Sequence, residues 1–112
     1  MRKFITKDSG KRVDFPSGMR RDTQDDKPRY DLIYLPMLTR WADLMARGAN
    51  KYGERNWEKA KSPEELDRFR ASAFRHFIAW MENIDDEDHA AACLFNIAAA
   101  EYVKTKLPDA SS

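Results

Sequence analysis

Hydrophobic positions fall into three helical stripes that follow a polar opening. From Met37 the chain repeats Leu38, Trp41, Leu44, Met45 and Tyr52 at three- and four-residue steps, the spacing of one helix face. Pro36 suits the first turn, where its preset φ helps and its missing N–H costs nothing. Gly48 weakens the helix and Gly53 is a natural stop, so the first helix is expected to end between them or shortly after Lys51. Ser62-Pro63-Glu64-Glu65 then orders a serine cap, a first-turn proline and a third-position glutamate, the start signal of a second helix. Its main stripe is Leu66, Phe69, Ala73, Phe77 and Trp80. Phe74, Ile78 and Met81 widen it until about Asn83, which implies contact with more than one neighbour. A third helix is expected after a cap at Asp85 or Asp86, with an acidic first turn through Asp88 against the positive end of the helix dipole. It runs to about Lys106, ahead of Pro108. The small residues Ala90, Ala91, Ala92, Cys93, Ala98, Ala99 and Ala100 let neighbouring backbones approach closely.

Before these stripes the pattern is broken. From Met1 to about Pro28 the chain is rich in charge, Gly and Pro, with isolated apolar residues at Phe4, Ile5, Val13 and Phe15. Two strands paired around Ser9-Gly10 are one reading; an arm extended over a partner subunit is the one favoured. The organisation expected is an arm over residues 1–30, a helical domain over 31–107 and a short tail over 108–112. The fold class is all-α, a short bundle of about three main helices completed by oligomerisation, as a dimer or tetramer.

Composition narrows the function. A chain of 112 residues supports one core, and 42% hydrophobic with 35% charged residues gives a packed interior under a soluble exterior. The 20 basic residues nearly cancel the 19 acidic ones, so no global field steers the chain to nucleic acid or an anionic membrane. Cys93 stands alone, which excludes an internal disulfide framework and suits a reducing compartment. No apolar run approaches the roughly 20 residues of a spanning helix, and the start has no secretory pattern. A cytoplasmic protein is expected.

Four groups of residues could carry chemistry. Lys51-Tyr52-Gly53-Glu54-Arg55-Asn56-Trp57 mixes cations, an amide and aromatics after the first helix: cations hold phosphates and aromatics stack bases, although Tyr52 and Trp57 would equally plug a core. Arg75 and Glu82, seven residues apart, share a face of the second helix, while His76 falls on the inward side. An arginine beside a core stripe calls for a fixed anionic partner. The turn from Glu82 to His89 gathers five carboxylates and an imidazole. Magnesium would compensate that density, as would a set of solvated acids around a helix cap. His89 and Asn96, again seven apart, make a polar strip lined by small residues that suits a ligand or hydrogen bonds between helices.

Taken in order, Ser17-Gly18-Met19-Arg20-Arg21-Asp22, Lys27-Pro28-Arg29-Tyr30-Asp31-Leu32, Gly48-Ala49-Asn50-Lys51-Tyr52-Gly53 and Asn56-Trp57 form a pattern. It continues through Arg75-His76-Phe77, Trp80 and Asp86-Glu87-Asp88-His89 to Asn96. From about Phe15 to Asn96 the chain thus resembles the phage-type dATP/dGTP diphosphohydrolase family. The resemblance implies an all-α fold related to the MazG-like nucleotide pyrophosphohydrolases, which use magnesium to split a nucleoside triphosphate into monophosphate and pyrophosphate. MazG-like enzymes pair a Glu-x-x-Glu motif with a Glu-x-x-Asp motif. Here Glu82-Asn83-Ile84-Asp85 has the second spacing and no Glu-x-x-Glu occurs.

Under this resemblance Glu82, Asp85 and Asp88 are expected to hold magnesium or manganese. Glu82, Glu87 and Asp88 form the catalytic set, with Glu87 or Asp86 taking the proton of an attacking water. Lys51, Arg55 and Arg75 would neutralise the triphosphate, and Trp57 would contact the base. Tyr52, Asn56, His76, His89 and Asn96 complete the nucleotide contacts, with Arg21, Lys27 and Arg29 reaching across from a neighbour's arm. The alternative is a non-catalytic phage protein that sequesters a nucleotide or nucleotide-derived signal, as in blunting a host defence.

Overall fold

A computed structural model describes residues 4–23 and 26–108. The chain forms two compact units, residues 1–33 and residues 34–112.

The first unit contains a small hairpin. Strands β1 (Arg12–Asp14) and β2 (Arg20–Asp22) pair antiparallel, with Arg12 opposite Asp22, Val13 opposite Arg21 and Asp14 opposite Arg20. This register sets opposite charges across the pair twice, and Arg20 Nε lies 2.8 Å from Asp14. The turn is closed at Phe15, whose N–H donates to the Met19 carbonyl and whose carbonyl accepts from the Gly18 N–H, each at 2.9 Å. Gly18 sits at φ +91°, a conformation that glycine adopts without steric cost. The chain therefore reverses at Pro16-Ser17-Gly18, where an extended arm was expected, and the Ser9-Gly10 step lies outside the hairpin turn. Asp22 explains what Ser9 does instead: its carboxylate accepts the Ser9 N–H at 3.1 Å. A single 3-10 turn, Tyr30–Leu32, ends the unit.

The second unit carries three helices. Helix α1 (Leu35–Tyr52) has Pro36 in its first turn and stops at Gly53, φ +92°, whose N–H donates to the Ala49 carbonyl at 2.9 Å. After Arg55, at φ +57°, a 3-10 turn spans Asn56–Lys59. Helix α2 (Pro63–Met81) starts in the expected capping box: Ser62 Oγ accepts the Glu65 N–H, and the Glu65 carboxylate accepts the Ser62 N–H at 3.1 Å. It ends through Asn83 at φ +58°, with the Ile84 N–H donating back to the Ala79 carbonyl at 3.0 Å, so the chain turns away sharply.

Helix α3 (His89–Lys104) begins later than the sequence suggests. Asp88 is its cap, accepting the Ala91 N–H at 3.1 Å, whereas Asp85 and Asp86 lie in the preceding loop. The reason is that Asp86 is engaged by the His89 ring and leaves the helix end to Asp88. The helix also ends at Lys104, with Thr105 and Lys106 continuing as a tighter turn.

Helix α2 packs along α3, and α1 and the 56–59 turn rest on α3 as well. The small residues that allow this approach, Ala91, Ala92, Ala99 and Ala100, are all buried. The densest packing gathers Ala60, Leu66, Ala100 and Val103, flanked by Phe69 and Leu107. Tyr102 seals the 56–59 turn by donating its hydroxyl hydrogen to the Glu58 carbonyl at 3.2 Å, with its ring edge-on to Trp57. By contrast Phe74, Phe77, Ile78, Trp80 and Met81 of α2 and Ile97 of α3 are exposed, so the widened stripe of α2 lacks cover among the described residues. Among the described residues, no helix is long and apolar enough to cross a membrane.

Candidate functional site

The C-terminal end of α1 and the turn after it enclose a cleft of about 420 Å³, within the range of roughly 300–1,000 Å³ typical of small-molecule sites. Leu44, Met45, Phe69 and Phe95 supply apolar wall, Tyr52 and Trp57 aromatic surface, and Asn56 an amide. Three cations, Arg47, Lys51 and Arg55, line it together with one carboxylate, Glu87. The local chain makes this possible: Gly53 and then Arg55 adopt positive φ and fold the 3-10 turn back over the helix end.

The three cations are not equivalent. Arg55 Nη1 lies 2.5 Å from Oε1 of Glu58, three residues further along the chain. Lys51 Nζ stands 5.0 Å from the centre of the Tyr52 ring. Tyr52 holds the Lys51 ammonium above its ordinary pKa, and the charge of Glu87 adds to the effect. Arg47 lines the cleft with no ion pair among the described residues.

Beside the cleft, the acidic turn is already committed internally. Arg40 Nε and Nη2 donate to the two oxygens of Asp88 at 2.8 and 2.7 Å, a two-pronged pair between α1 and the cap of α3. That guanidinium, helped by the Ala91 N–H, brings the Asp88 carboxyl down to about 2 against the cost of partial burial. Glu82 and Asp85 are exposed. Among the described residues, no three His, Cys, Asp or Glu side chains converge as a metal ion would require. With both Asp88 oxygens on Arg40, the trio Glu82, Asp85 and Asp88 does not fit a divalent ion as arranged in one chain.

His76 and His89 form a buried pair across α2 and α3, Nδ1 to Nδ1 at 2.8 Å, and His89 Nε2 is 2.7 Å from Asp86 Oδ1. The carboxylate accepts only, so neutral His89 carries its proton on Nε2 and His76 donates through Nδ1. Burial lowers the pKa of His76. Asn96 is buried too, and its amide donates to the Ala92 carbonyl of its own helix at 2.8 Å rather than across to another. Arg75 is exposed, and the anionic partner expected for it is not met among the described residues.

Residues 17–110 match the family model for the N-terminal region of dATP/dGTP diphosphohydrolases. The chain belongs to this family. No curated protein and no solved structure matches it significantly. The matched N-terminal region therefore includes all three helices and the whole cleft.

Within this family member, six residues singled out in the sequence meet at one cleft: Lys51, Tyr52, Arg55, Asn56, Trp57 and Glu87. Glu87 also borders the shallow hollow above the acidic turn, where Asp85, Asp88 and His89 lie. His76 and Asn96 do not line the cleft; they hold the helices. Arg21, Lys27 and Arg29 belong to the first unit, where Lys27 lies 3.6 Å from Asp22 and Arg29 pairs with Asp31 at 2.8 Å. Arg40 and Arg47 were not foreseen. Arg40 meets a partner 48 residues away, for which the sequence holds no local signal. Arg47 could have been found from its place one turn before Lys51 on the same helix face.

Proposed function

We propose that the cleft binds a deoxynucleoside triphosphate, of the kind the family's description names, and that the chain splits it into monophosphate and pyrophosphate. The observation that supports this is the meeting of base-stacking and phosphate-binding side chains with a single acid in one cleft of suitable volume. Tyr52 and Trp57 offer aromatic surface to a base, Asn56 an amide to its edge, and Lys51 and Arg55 positive charge to the phosphates. Glu87 is the acid among the cleft's lining residues and on this reading takes the proton of an attacking water. The family's chemistry implies magnesium, which would lower the charge of the triphosphate when bound. The residues of the acidic turn do not fit it as they stand in one chain.

Sequestration without hydrolysis is the second reading, favoured by the engagement of Asp88 with Arg40. Incubating the protein with dATP and dGTP, with magnesium or manganese, and separating products by chromatography decides between them. Monophosphate and pyrophosphate support the enzyme; intact nucleotide retained on the protein supports sequestration; indifference to both contradicts the cleft as a nucleotide site.

The same proposal includes assembly. The exposed Phe74, Phe77, Ile78, Trp80 and Ile97 form apolar surface on α2 and α3 that a second copy would cover. Light scattering should give at least twice the chain mass, and a stable monomer would contradict it.

A further inference from the structure

We propose that Arg47, which no sequence motif singles out, is the principal phosphate receptor of the cleft. The inference rests on the nucleotide reading above and adds the residue on which the affinity for phosphate depends. Helix α1 sets Arg40, Arg47 and Lys51 on one side, at steps of seven and four residues. The three cations of this row have different fates. Arg40 is occupied on both prongs by Asp88. Lys51 stands over Tyr52. Arg47 lies between them, lines the cleft, and keeps its guanidinium without an ion pair among the described residues.

The remaining cleft cation, Arg55, already pairs with Glu58. An incoming phosphate would have to compete with Glu58 for Arg55. At Arg47 it meets a planar fork of donors with nothing to displace. Arg40 holds the Asp88 carboxylate by both of its oxygens. The Asp88 carboxylate is thus taken by Arg40 and not by Arg47. The ligand chemistry this selects is a polyphosphate, with the aromatic and amide groups reading the rest of the molecule.

Calorimetry on the full chain tests the proposal with three probes: inorganic tripolyphosphate, the α,β-methylene analogue of dGTP, which cannot be split between those phosphates, and deoxyguanosine. Each is run with and without magnesium. Arg47→Ala should weaken both phosphate-bearing probes by about tenfold or more, the loss expected for a charge-assisted fork, and leave deoxyguanosine unchanged. Arg47→Lys should fall between wild type and Arg47→Ala, because a point charge replaces a fork. Arg70→Ala, a cation outside the cleft, should bind as wild type does. Should Arg47→Ala fail to fold, Arg47→Gln carries the same test with most of the side-chain volume retained.

If wild type binds the dGTP analogue and Arg47→Ala binds it equally well, the role of Arg47 is overturned while the nucleotide reading stands. If wild type binds neither phosphate-bearing probe at millimolar concentration, the nucleotide reading falls and this inference falls with it. An equal loss for deoxyguanosine and the triphosphate analogue would also overturn it, since that pattern marks a general disturbance of the cleft.

Discussion

Glu87 borders two hollows that are both lined by charged residues and differ in what those charges are doing. In the acidic turn the strong groups are paired with each other: Asp88 with Arg40, His89 with His76 and Asp86. In the cleft after α1, Arg47 has no ion pair among the described residues, Lys51 rests on a ring and Arg55 holds the half-buried Glu58 carboxylate. Charge density alone would rank the acidic turn as the site. The accounting of partners reverses that order, because a group already satisfied gains little from a ligand, whereas an unengaged cation beside apolar wall gains much. The turn holds three elements together, and the cleft is where recognition is left open.

Substitutions sharpen this contrast. The largest expected effect is catalytic: Glu87→Gln keeps the shape of the side chain but cannot take a proton. Turnover of dATP or dGTP should fall by roughly 10²–10⁴-fold, with the melting temperature unchanged. Unaltered turnover would remove Glu87 from the chemistry. On the other side of the comparison, His89→Ala strips His76 and Asp86 of their partner and opens a void between α2 and α3. It should cost about 2–4 kcal/mol in denaturant unfolding, and a wild-type midpoint would show that the buried pair carries no weight.

A smaller effect concerns acid. The Asp88 carboxyl is held near 2 in the folded chain, below the value of about 3.9 for an unfolded aspartate. The unfolded chain therefore takes up this proton first as pH falls. The stabilisation is complete above about pH 4 and is lost as the pH drops toward 2. Asp88→Asn should flatten the pH dependence of unfolding in that window, while retaining part of the cap. An unchanged slope would mean that Asp88 is not held by Arg40 in solution.

What could be read in the sequence follows how local each determinant is. The stripes of α1 and α2, Pro36, and the Ser62–Glu65 box act within a few residues, and the helices formed where those signals lie. The start of α3 was harder to place, since Asp85, Asp86 and Asp88 are all competent caps. The choice depends on Asp86 meeting the His89 ring, a tertiary fact. Pro16-Ser17-Gly18 is a local turn signal that accounts for the hairpin, in a segment whose charge and broken apolar pattern point to an extended arm. Lys51 to Trp57 were legible as a group because one loop carries them. Glu87 and Phe95 reach the same cleft only through the packing of α1 and α2 on α3, which no spacing along the chain encodes.

The central claim is that ligand recognition belongs to the cleft and not to the acidic turn. Backbone amide spectra of isotope-labelled protein, titrated with the α,β-methylene analogue of dGTP, test it directly. Saturable shifts should concentrate at Arg47, Lys51 to Trp57 and Glu87, with His76 and Ala91 nearly still. Shifts centred on Asp85, Asp88 and His89 with residues 51–57 unmoved, or no shifts at all, would contradict the account.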